Sequence, residues 1–124
     1  MRRDYEPYFR QLQQGILPLG YVAVEESELE AQFILGSGWR VSFECERYYG
    51  PMFGLFIVPP QPLVKRARGY EVGQLMEVFE QRDGVRYGKP TLENQINFLT
   101  SHQSRIFADP ASYEGDYARL HDLH

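Results

Sequence analysis

Three observations predict an α+β fold: a four-stranded antiparallel meander with an N-terminal helix and two to three C-terminal helices packed on one face. Between Trp39 and Glu46, Trp39, Val41, Phe43 and Cys45 alternate with Arg40, Ser42, Glu44 and Glu46. A period of two is the mark of a strand with one buried face and one wet face. Between Tyr21 and Val58, four strand-like runs follow one another on short connections. Parallel pairing would need long crossovers, so the runs pair antiparallel. On either side of this block the apolar residues recur at three- and four-residue spacing instead, which is helical. Because the strands are grouped together, the class is α+β and not α/β.

The first helix follows from the stripe Tyr5, Tyr8, Phe9, Leu12 and Ile16, with Asp4 as its expected cap and Pro7 in the first turn. Gly15, Pro18 and Gly20 end it near residue 17. The strands read as Tyr21–Glu25, Leu29–Leu35, Trp39–Glu46 and Met52–Val58, joined by an acidic turn, a Gly36-Ser37-Gly38 loop and the turn Arg47–Pro51. The last of these is apolar on both faces and is expected to be the hairpin partner of the Trp39 strand, buried more deeply than it. The polar faces carry Glu30, Gln32, Arg40, Ser42, Glu44 and Glu46, so that side of the sheet is expected to be partly open to water. Pro59, Pro60 and Pro62 stop the sheet, and Lys65, Arg66 and Arg68 follow in a short basic loop. Helical spacing resumes from Tyr70 to Arg82, closed by Asp83-Gly84. A helix capped by Thr91 runs from Leu92 to Phe107, and Asp109-Pro110 starts a last one that turns Tyr113, Tyr117 and Leu120 inward.

Composition narrows the function. A chain of 124 residues is expected to form a single domain, 1–124, and its nine Tyr and eight Phe supply a large apolar area for a core. A net charge of −4 speaks against general nucleic-acid affinity. One cysteine forms no intramolecular disulfide, the basic N-terminus has no apolar segment behind it, and no apolar run approaches the roughly 20 residues that span a bilayer. A cytoplasmic location without a membrane partner is the expectation.

The chemistry-bearing residues are few. Cys45 shares a strand face with Trp39, Val41 and Phe43, which suits a buried small hydrophobe better than a reactive thiol. His121 and His124 flank Asp122 at chelating spacing, but at the chain end, where fraying is expected, so no functional metal is expected there. His102 lies beside an apolar stripe as a structural histidine would. No zinc spacing, phosphate loop, dinucleotide fingerprint or nucleophile elbow occurs, and no cofactor is expected.

Two surfaces remain. Glu44 and Glu46, with Arg40 beyond, suit either a solvated sheet face or an acid–base pair. Tyr48 and Tyr49 at a hairpin tip suit partner recognition, or else one of them packs over Pro51.

The order of elements resembles that of small acidic bacterial immunity proteins, which neutralise toxins of interbacterial competition. The resemblance rests on the opening helix running into Leu17-Pro18-Leu19-Gly20-Tyr21, the strand Gly38–Glu44 and the helix Leu92–Phe107. It implies action by binding, not catalysis. The sequence-based expectation is therefore a non-catalytic protein-binding module. Its partner is a cognate toxin or a second copy, met through Tyr48, Tyr49, Glu44, Glu46 and Arg40. The alternative is a small hydrolase or isomerase using the carboxylates of the open face.

Overall fold

A computed structural model describes residues 1–48, 50–60 and 69–121. Tyr49, the basic loop Lys65–Arg68 and His124 lie outside the described residues. The fold is α+β. Its elements run α1 (Glu6–Gly15), β1 (Tyr21–Glu26), β2 (Glu30–Leu35), β3 (Arg40–Cys45), β4 (Phe53–Val58), β5 (Tyr70–Glu71), α2 (Val72–Asp83), α3 (Leu92–Ser101), α4 (Gln103–Ala108) and α5 (Ala111–His121).

The sheet has five strands in sequence order, each pair antiparallel. The expected four-stranded meander is there, and β5 is the addition. Two residues are too few to show alternation, and Tyr70 reads equally well as the start of a helix. Gly69 explains why the chain pairs before it coils. Its φ of +78° is left-handed, and a Cβ there would stand 2.2 Å from the Ile57 carbonyl oxygen. Only glycine lets the chain come that close to β4 and turn into register with it.

Register assigns the residues to two faces, with exposed Glu26 ending an inner row beside Ala31 and Ser42 buried on the outer face. Val24, Phe33, Val41, Ile57 and Tyr70 form one row of the inner face, and Ala31, Phe43 and Leu55 form the next. These pack with Leu12, Ile16, Leu75, Phe79, Leu99, Ile106, Tyr113 and Tyr117 in a single core that also contains Trp39. The outer face carries the rows Ala23–Ile34–Arg40–Val58, Glu25–Gln32–Ser42–Phe56–Glu71 and Glu30–Glu44–Gly54. β4 is therefore not deeply buried on both sides. Leu55 and Ile57 are buried, but Phe56 and Val58 point outward and are only half-buried.

Two helix boundaries differ from expectation. Asp4 does not cap α1, because both its oxygens are taken by the Arg2 guanidinium at 2.8 Å, and Arg3–Tyr5 form a 3₁₀ turn instead. The helix expected from Leu92 to Phe107 breaks at His102, whose φ and ψ are −122° and 30°. Just before the break, the Thr100 hydroxyl donates to the Ile96 carbonyl, and Gln103 Nε2 donates to the Thr100 carbonyl. Such side-chain bonds compete with the helix ladder. The break brings the Phe107 carbonyl to the indole N–H of Trp39 at 3.0 Å, with the two rings edge-to-face. Thr91 caps α3 as expected, accepting from the Asn94 N–H at 3.1 Å.

Candidate functional site

The meander brings distant segments together at one end of the sheet. β1 ends, β2 begins, β3 ends and β4 begins there, so the β1–β2 turn and the β3–β4 tip are neighbours. Two backbone bonds join them to each other and to the N-terminal segment. Cys45 N–H donates to the Leu29 carbonyl at 2.8 Å, and Arg2 N–H to the Glu28 carbonyl at 2.7 Å.

The tip spans residues 46–52 and contains a cis Gly50–Pro51 peptide. The Glu46 N–H donates to the Met52 carbonyl at 2.8 Å, closing the hairpin. Tyr5, fully buried, holds it from beneath. Its hydroxyl donates to the Glu46 carbonyl at 2.6 Å, lies 3.0 Å from the Met52 carbonyl and accepts from the Met52 N–H at 3.1 Å. Arg2 Nη1 adds a bond to the Arg47 carbonyl at 2.8 Å. The tip is thus tied to the body of the protein at both its ends.

On this fixed base stand side chains that the protein itself does not cover. Tyr48 is 79% exposed and Met52 61%. Tyr48 is therefore not packed over Pro51. At this end of the sheet the carboxylates Glu26, Glu28, Glu30, Glu44 and Glu46 are exposed, with Glu26 paired to the Met1 ammonium at 3.0 Å. Arg2 is committed to Asp4, whose carboxyl it holds below the usual range chiefly through their hydrogen bond. Arg47 is the exposed cation of the tip. Glu44, Glu46, Met52, Gly54 and Phe56 border an open cleft of about 290 Å³.

The structure thus brings Glu44, Glu46 and Tyr48 to one end and leaves Arg40 at the other. Arg40 opens β3, four residues from Glu44, and its guanidinium lies 2.7 Å from Gln32 Oε1 and 3.7 Å from Glu25. Cys45 faces inward at the sheet margin, its sulfur 3.9 Å from that of Met1. Burial pushes its thiol up to about 11, away from the thiolate a nucleophile needs.

Among the described residues the carboxyl that burial raises is Glu71, two strands across from Glu44, and nearby His121 opposes that rise. The His121 ring lies against Tyr117, and its Nε2 is 3.7 Å from Glu77 and buried without a hydrogen-bond partner among the described residues. The Tyr117 hydroxyl in turn donates to Gln74 Oε1 and accepts from the Glu71 N–H. This cluster ties α5 to the start of α2. Nothing local in the sequence marks it, because its members are some fifty positions apart.

Among the described residues no helix is long and apolar enough to cross a membrane. Comparison with known proteins assigns no relative, since no family model, curated protein or solved structure matches the chain.

Proposed function

We propose that the protein is a binding module that docks a basic protein partner through the tip of the β3–β4 hairpin and the acidic sheet end around it. The observation that carries this reading is the exposure of Tyr48 and Met52 on a tip anchored from below by Tyr5. Tyr48 has only two side-chain torsions and stands on a tip tethered at both ends, so its burial costs little conformational entropy, which is what anchor residues of interfaces require. The surrounding carboxylates supply complementarity to a basic surface, steering encounter and fixing register. A toxin neutralised by this chain, as the immunity resemblance implies, is one partner of that kind.

The test is capture of the partner from the native host with wild-type protein as bait, then measurement of affinity with variants. Tyr48→Ala combined with Tyr49→Ala is expected to abolish binding while the melting temperature stays put. Reversing Glu44 and Glu46 to lysine is expected to slow association, most at low salt. Loss of stability in step with loss of binding would assign the tyrosines to the core and remove the reading. Capture of a second copy alone would replace the basic partner with self-association.

A further inference from the structure

The register of β2, β3 and β4 creates a specific feature inside that surface. Glu30 stands directly opposite Glu44, and Glu44 directly opposite Gly54, all on the outer face. Two carboxylates facing each other across a strand pair repel. Among the described residues no Lys, Arg or His forms an ion pair with Glu30, Glu44 or Glu46; their bonds are from Gln32 Nε2 to Glu30 and from the Ser42 hydroxyl to Glu44. On the far side of Glu44 the row has no side chain at all. The Phe56 ring leans back into the vacant position, its Cε1 2.7 Å from where a Cβ on Gly54 would stand. The ring, with Glu44 and Glu46, borders a notch, the open cleft of about 290 Å³ described above.

We infer that this notch receives an arginine side chain of the partner, stacked on Phe56 and paired with Glu44. The inference rests on the docking reading above and names the contact residue. Arginine fits better than lysine because a planar guanidinium both lies flat on a ring and forks a carboxylate, whereas an ammonium is a compact, strongly hydrated point charge. An acidic patch alone would attract either cation. The Phe56 ring, lying over Gly54 beside Glu44, is what selects the flat one.

The probe is an acetylated, amidated Gly-Gly-Arg-Gly-Gly peptide, titrated into the full chain and followed by two-dimensional NMR beside its lysine and citrulline versions. Saturable shifts at Gly54 and Phe56 are expected for arginine, with citrulline weaker by about tenfold and lysine in between. Gly54→Ala pushes the Phe56 ring out of its seat over the glycine and Phe56→Leu removes the ring, and each is expected to abolish the preference for arginine over lysine. Glu44→Gln, an isosteric change at an exposed site, is expected to reduce binding to the citrulline level.

Arginine and citrulline binding alike would overturn the proposal. So would arginine and lysine binding equally and surviving Gly54→Ala, which is what attraction to a charged surface alone produces. Failure here with partner affinity still lost in the tyrosine variants would remove the arginine and leave the docking tip. An arginine-selective notch with tyrosine variants that bind normally would remove the tip.

Discussion

Replacing Tyr5 by phenylalanine isolates the anchor under the tip. The ring stays, with its full burial, and only the hydroxyl goes. That hydroxyl is the partner of the Glu46 carbonyl at 2.6 Å and of the Met52 N–H at 3.1 Å. Each such bond contributes about 0.5–1.5 kcal/mol net, and a group left unpaired in a closed site costs more. The tip is only partly enclosed, so water can reach some of what is exposed. The expected loss is about 1–2 kcal/mol, a fall in melting temperature on the order of 3–8 °C for a domain of this size. Trp39, the one tryptophan and 1% exposed, reports unfolding by its fluorescence in a urea titration. The same variant is expected to speed hydrogen exchange at the Met52 amide without affecting amides on β2. An unchanged urea midpoint together with unchanged exchange at Met52 would refute the anchoring argument.

The other predictions concern the core and the ion pairs. Trp39→Ala is expected to cost about 3–5 kcal/mol in chemical denaturation, since it empties a site closed by Phe107 and removes the indole bond to the Phe107 carbonyl. The Asp83 carboxyl is held below its usual range mainly by hydrogen bonds from Arg105. Its contribution is therefore present above the ordinary carboxylate range and lost as pH falls through the lowered value; Asp83→Asn should flatten that part of the stability–pH curve. Glu71 has the opposite sign. Burial raises its carboxyl, so its contribution is greatest below the unfolded value and falls as pH rises through the folded one. Glu71→Gln should raise the melting temperature more at pH 7 than at pH 4.

What the sequence revealed and what it hid divide along a physical line. Periodicity reports which face a residue takes, so the inner rows, the open face and the single core were legible from alternation at Trp39–Glu46 and the stripes of the helices. Periodicity says nothing of register between strands. The opposition of Glu30 to Glu44, and of Glu44 to Gly54, depends on how the β2–β3 and β3–β4 turns set the pairing. Tyr5 was legible as core through its ring, but its hydroxyl acts on residues more than forty positions away. Arg40 shares a face with Glu44 yet lies roughly 13 Å along the strand from it, at about 3.3 Å per residue. β5 escaped because its evidence is a left-handed glycine and a close backbone approach, and neither leaves a pattern in the apolar residues.

The central claim is that partners dock at the hairpin end of the sheet. Hydrogen–deuterium exchange on the wild-type chain, free and saturated with the captured partner, locates the interface without any substitution. Protection is expected over residues 44–48, 52–56 and the β1–β2 turn, with α2, α3 and α5 unchanged. Protection confined to the helical layer or to the outer edge of β1, with the tip exchanging as it does in the free protein, would contradict it.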